Sequence, residues 1–215
     1  VTVTIAADPA TPDQCTFAPA TLTFTTANWN VAQTVTTTAV NDAVVEGTHS
    51  CTTGVISAAG GGYAGVTGTA PTFTITDNDT GTIVVTNTVP TATEGGANGA
   101  FTVVLGLQPS GTVTVTIAAD PATPDQCTFA PTTLTFTTAN WNTAQTVTTT
   151  AVNDLIVEGS HSCTTGTISA SGGSYAGVTG TAPTFTITDN DTASITLVKT
   201  ASVASVTLAG QTISY

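Results

Sequence analysis

Apolar and hydroxylated side chains alternate along most of this chain, in stretches such as VTVTIA, TLTF, TVTTTAV and FTIT. A period of two is the signature of strands with one face buried and the other wet. In the stretch where the pattern is most complete it predicts strands near Thr82–Thr86, Phe101–Leu107, Val113–Ala118, Thr133–Phe136, Thr146–Val152, Ser162–Ser169 and Thr184–Thr188. Between them lie the turn formers EGGANG, QPSG, DPATPD, ANWN, NDLIVEG and ASGGSYAG. No credible helix is present. About seven short strands in about 110 residues predict an all-β fold, an antiparallel β-sandwich of immunoglobulin-like type. Phe101, Leu105, Val115, Leu134, Phe136 and Phe185 are the expected core. Trp29 and Trp141, each in an ANWN turn, are expected to cap the end of a sandwich.

The pattern occurs twice. Residues 1–80 return as residues 113–192 with eight differences, among them Val44 against Ile156 and Gly62 against Ser174. A period of 112 residues is too long for a solenoid turn and suits one small domain. The expected organisation is therefore tandem sandwiches: a partial one over 1–80, lacking its first two strands, and a complete one over 81–192. Val1 falls inside a strand pattern without an initiator Met or leader, so the chain reads as an excerpt from a longer protein.

Charge narrows the range of partners. About a quarter of the residues are Thr, while Lys199 is the only Lys or Arg and the formal net charge is −12. Nucleic acid is disfavoured, because phosphate binding needs Lys or Arg to displace counterions. An anionic membrane surface fails for the same reason. No apolar run approaches the roughly 20 residues that span a bilayer, so membrane insertion is not expected.

The acids themselves are Asp8, Asp13, Asp42, Glu46, Asp77 and Asp79 in copy one, Asp120, Asp125, Asp154, Glu158, Asp189 and Asp191 in copy two, and Glu94. None sits in the middle of a predicted strand. If successive strands alternate in direction, the first–second, third–fourth and fifth–sixth loops and the end of the seventh strand share one pole. All the acids of a complete copy fall at that pole. Converging carboxylates with no Lys or Arg nearby repel one another, and a divalent cation resolves the repulsion. Oxygen ligands on loops suit Ca²⁺ better than Mg²⁺ or Zn²⁺. The competing reading is ordinary solvated loop acids, since Asp and Asn favour turns. Asp77-Asn78-Asp79, where copy one hands over to copy two, is expected to hold an ion that sets the angle between them.

The succession of Glu-Gly, VTVTI..D, LTF, V.T.AVND..VEG and FTITDND resembles the Calx-beta domain of sodium–calcium exchangers, integrin β4 and large bacterial surface proteins. The resemblance covers about 82–191 in full and 1–79 as a copy without its first two strands. It implies a sandwich whose calcium ligands come from the loops singled out above. Residue by residue these are Glu94; Asp120 and its twin Asp8; Asp154 and Glu158 with their twins Asp42 and Glu46; and Asp189 and Asp191 with their twins Asp77 and Asp79. Strong calcium binders of the family carry a run of Asp where this chain has Asn153-Asp154-Leu155 and Asn41-Asp42-Ala43. One or two ions per site follow, with the roughly 0.1–1 mM affinity of extracellular modules. Residues 193–215 resemble the opening strands of a short immunoglobulin-like repeat of bacterial surface proteins. From this comes an expectation that Ile195–Val198 and Gln211–Tyr215 complete a partial sandwich, in a neighbouring chain or a longer one, making a head-to-tail fibre.

Each copy holds two cysteines. Cys15–Cys51 and Cys127–Cys163 is the pairing most compatible with autonomous copies, other connectivities remaining open. Disulfides imply an oxidising compartment, hence an extracellular or cell-surface protein. A zinc site using His49 or His161 is the rival, but it lacks closely spaced Cys pairs. No nucleophile–base motif marks an enzyme. The expected function is a non-catalytic structural module of a stalk, adhesin or filament, stiffened by calcium and contacting neighbouring repeats. The alternative is a calcium-dependent module that binds a glycan or protein ligand.

Overall fold

The computed structural model describes residues 1–10, 14–122 and 126–198. Asp13, Asp125, Lys199 and the expected strand at Gln211–Tyr215 lie outside the described residues. The described chain is all-β, with no helix. No helix long and apolar enough to cross a membrane occurs among the described residues.

Copy one contributes β1 (Thr2–Ala7), β2 (Cys15–Ala18), β3 (Thr21–Thr23), β4 (Thr36–Ala39), β5 (Val44–Val45), β6 (His49–Ala59), β7 (Thr67–Gly68) and β8 (Thr72–Ile75). The remainder contributes β9 (Ile83–Val89), β10 (Thr91–Thr93), β11 (Gly99–Leu105), β12 (Gln108–Pro109), β13 (Val113–Ala119), β14 (Cys127–Ala130), β15 (Thr133–Phe136), β16 (Gln145–Ala151), β17 (His161–Ser171), β18 (Thr179–Gly180) and β19 (Thr184–Thr188).

In the second half two sheets face each other. One runs β10-β19-β17-β13-β15, with β18 also on β17; the other runs β14-β16-β11-β9. Alternation puts every second residue of β11 inside: Phe101, Val103 and Leu105 are buried, facing Val113, Val115 and Ile117 of β13. Each such side chain contributes about 1.5–3 kcal/mol by leaving water. All six expected core residues are buried. Tyr175, from the ASGGSYAG turn, joins them at 0 % exposure, its hydroxyl donating to the Leu107 carbonyl at 2.6 Å. Both strand sets carry a bulge where β13 and β1 shift register against their partners. Gly166 and Gly54 permit it, because a Cβ there would run into the carbonyl oxygen of Ala119 or Ala7.

One strand, β14, lies where the alternation predicts none. Cys127–Ala130 pairs with β16, while Thr133–Phe136 pairs with β13 in the other sheet. A single descending segment thus switches sheets at Pro131, which has no N–H to offer a ladder.

Copy one has the sheet β3-β1-β6-β7, with β8 on β6, but opposite it only the pair β2–β4. Among the described residues it has no counterpart of β9, β10 or β11. Its buried cluster shrinks to Cys15, Cys51 and Ile75, with Phe17 and Phe73 packed alongside. A cleft of about 900 Å³ opens beside it, lined by Val1, Val3, Phe24, Trp29, Tyr63 and Val66 among others. Trp141 packs half-buried on the core of copy two, as expected of a cap; Trp29 has no strand to cover and is 70 % exposed.

Disulfides join Cys15 to Cys51 and Cys127 to Cys163, one within each copy. Ile195–Val198 forms no strand, and Ile195, Leu197 and Val198 are exposed.

Candidate metal centre

Glu94 anchors the acidic pole of copy two. Strand β10 pairs in parallel with β19, and the Glu94 amide continues that ladder by donating to the Thr188 carbonyl at 3.0 Å. Glu94 therefore sits beside the strand end from which Asp189 emerges. The next residue, Gly95, takes a left-handed φ of 59°, and a Cβ there would meet Asn153 Oδ1 at 2.9 Å. That explains the Glu-Gly pair: the turn needs a glycine so that two loops can close over the glutamate. Asn190 completes the closure, its amide donating to the Glu94 carbonyl at 2.9 Å and to Asn153 Oδ1 at 2.8 Å.

Two groups of potential ligands result, and both contain Glu94. Glu94, Asp189 and Asp191 form an all-oxygen set; Glu94, Glu158 and His161 form a mixed one, with ligand atoms within 4.8 Å of one another in each. Glu94 is 2 % exposed, and its Oε2 is buried with no hydrogen-bond partner. Asp191 Oδ2 is likewise buried and unpartnered. Burial first, then repulsion from Asp189, Asp154 and Asp191, pushes the Glu94 carboxyl above the usual range, with His161 opposing. Two buried, unpartnered carboxylate oxygens at one pole, with no Lys or Arg among the described residues and only the His161 ring nearby, fit a hard cation.

Not all the candidate ligands behave alike. Asp189 is a brace: its Oδ2 accepts from the Glu158 and Gly159 amides at 2.8 and 2.7 Å, and Oδ1 accepts from Asp191 N at 2.7 Å. These bonds, led by that from Asp191, hold its carboxyl below the ordinary aspartate value. Asp77 repeats the arrangement with Glu46, Gly47 and Asp79, and its pKa is lowered too, the Asp79 amide being the largest cause. Asp154 Oδ1 caps its own loop through Ile156 N at 2.7 Å, as Asp42 does through Val44 N at 2.8 Å. Asp120 is turned aside, accepting from Thr164 Oγ1 at 2.6 Å and from Ala122 N; Asp8 repeats this with Thr52 and Ala10. Glu158 and Glu46 each sit near a histidine, 3.7 Å from His161 and 3.4 Å from His49.

Among the described residues, copy one gathers no comparable group, because nothing takes the place of Glu94. The two histidines stand within hydrogen-bond reach of the Gly47 and Gly159 carbonyls, and neither is near a cysteine thiol, since all four cysteines are in disulfides. The brace formed by the first Asp of each FTITDND and the positioning role of Asn190 were not foreseen. The signal for them was the spacing itself: one Asp-Asn-Asp placed two backbone turns within reach of three side chains.

No protein-family model matches the chain, and no curated protein matches it.

Proposed function

We propose that this chain is a non-catalytic structural module of an extracellular surface protein, a stalk or filament segment. In it a calcium ion closes the acidic pole of the complete sandwich. The buried, unpartnered Glu94 carboxylate oxygen carries the reading, with Asp191 Oδ2 beside it. When bound, the ion would supply the positive charge that lets Glu94 remain ionised under the loops. Glu94 and Asp191 would ligate it directly, and Asp189 would share its charge while still holding the Glu158–Gly159 turn. The Calx-beta resemblance and the two intramolecular disulfides support the same assignment.

Calorimetric titration with calcium, with magnesium and zinc as competitors, tests it. Heat of binding and a raised melting temperature are expected for calcium, both abolished by Glu94→Gln. Selective zinc binding would instead point to the mixed set with His161, and no response to any cation leaves an acidic spacer.

Head-to-tail assembly is a second element of the proposal, favoured by the cleft in copy one. Its lining calls for an alternating apolar strand pair of the kind that β9 and β11 supply to copy two. The alternation of Ile195 and Leu197, both exposed, suits a donor. Sedimentation that shifts with concentration, and stops shifting when Ile195 and Leu197 become Asp, would support donation. Recognition of a glycan or protein by the turn around Tyr175 is disfavoured, because that ring is buried.

A further inference from the structure

The segment that joins the copies occurs twice, and among the described residues only one occurrence is covered. In copy one, Val44–Val45 lies parallel to Gln108–Pro109, and Ser110 N donates to the Val45 carbonyl at 3.1 Å. Ser174 donates its hydroxyl to the Glu46 carbonyl at 2.8 Å and shares a 2.9 Å hydrogen bond with Ser110 Oγ. Val45 is thereby 4 % exposed and belongs to the core cluster of copy two. Asp77 keeps this segment in place by binding the Glu46 and Gly47 amides. Copy two holds the same turn with Asp189, yet Leu155, Ile156 and Val157 are 90, 62 and 52 % exposed.

Three of the eight differences between the copies fall at this junction. Leu155 and Ile156 stand where copy one has Ala43 and Val44, so the uncovered segment is the more apolar of the two. Ser174 stands where copy one has Gly62. Both positions are left-handed, with φ of 63° and 82°, which a serine tolerates less readily than a glycine. The serine is offset by the two hydrogen bonds that it makes at the junction.

We propose that Leu155–Ile156–Val157 is a docking strand for a further module of this kind, one presenting a Gln-Pro-Ser turn and a hydroxyl in the place of Ser174. The covered twin at Val44–Val45 supplies the register. The docking rests on the tandem-module reading given above but needs no cation, since the observed junction is made of main chain, hydroxyls and one valine.

Inserting a second copy of residues 81–192 after Thr192 of the full chain tests it by hydrogen exchange, in calcium and in chelator. The amide corresponding to Ser110 in the inserted module is expected to exchange as slowly as Ser110 itself. Val157→Asp should speed that amide at least about tenfold while leaving Ser110 unchanged. The proposal is overturned if the inserted amide exchanges at an unprotected rate, or if Val157→Asp has no effect. It is also overturned if residues 155–157 are already protected in the unextended chain, for then another segment covers them. Docking that persists in chelator upholds the surface whether or not calcium binds; the Glu94 titration judges the cation separately.

Discussion

Tyr63 and Tyr175 occupy the same place in two near-identical copies, yet one is 53 % exposed and the other 0 %. Ile56 and Ile168, Phe24 and Phe136, and Trp29 and Trp141 differ in the same direction. Eight substitutions cannot explain this, because none of these positions changes. The difference is the strands β9 and β11. They supply Ile83, Phe101, Val103 and Leu105 to one copy and have no counterpart in the other. A hydrophobic core is thus a property of the closed pair of sheets, not of the repeated sequence. The same apolar side chains that form an interior in copy two line a cleft in copy one.

The largest test of this comparison is a matched truncation. Phe185→Ala is expected to cost copy two about 3–5 kcal/mol, the range for a fully buried ring. Phe73→Ala, whose ring keeps contact with solvent, should cost copy one clearly less. Denaturant melts followed by hydrogen exchange in each copy would separate them; equal losses would break the comparison.

Removing one disulfide at a time sharpens it. Both close loops of the same sequence separation, 36, so loop entropy contributes equally, about 4 kcal/mol. Replacing Cys127 and Cys163 by Ala should leave copy two folded but weakened. Replacing Cys15 and Cys51 removes two of the three residues in the small cluster of copy one and should unfold it. Limited proteolysis at neutral pH would show which copy is cut.

The acidic poles come next. Glu94 has its pKa raised, so its ionised form opposes folding at neutral pH. That opposition is relieved as the pH falls through its raised value. Without calcium, copy two should therefore melt higher on mild acidification and in the Glu94→Gln variant. Any gain from calcium should fade over the same interval, because binding needs the ionised carboxylate. Copy one should show neither response.

The smallest effect is the one that the copies share. Asp77 and Asp189 have lowered pKa values, so their contribution is present above the unfolded aspartate range and lost as the pH falls through the folded values. Asp77→Asn and Asp189→Asn should flatten that acid limb to a similar degree in melts recorded on descending pH. A response confined to Asp189 would mean that its partners in the metal group, not the amide brace, dominate.

Several features are legible in the sequence. Alternation gave the principal strands near 82–86, 113–118, 133–136 and 184–188, and the large apolar residues on their inner face are the ones buried. Strand β14 was missed because Cys127–Ala130 is too short to show a period and ends at a proline that looks like a turn. Tyr175 was missed as core because it lies in the glycine-rich turn ASGGSYAG, which carries no alternation. Direction counting placed Glu94, Glu158, Asp189 and Asp191 at one pole. It could not say that Asp120 turns to Thr164, that Asp189 accepts three amides, or that β10 runs parallel to β19 and so buries Glu94.

Period-two patterning depends only on each residue and its neighbours, so the sequence by itself determined that the chain is all-β, that it repeats, and which face of each strand is apolar. Whether an apolar face meets a partner depends on strands remote in the sequence, as Phe101 packs on Phe185, and whether a carboxylate is a brace or an orphan depends on amides from other loops. Only the tertiary structure decided that Asp120 turns to Thr164, that one Glu94 carboxylate oxygen lies buried without a partner, and that one junction strand is covered while its twin is bare. Those outcomes are fixed by long-range contacts, whose presence no local pattern encodes.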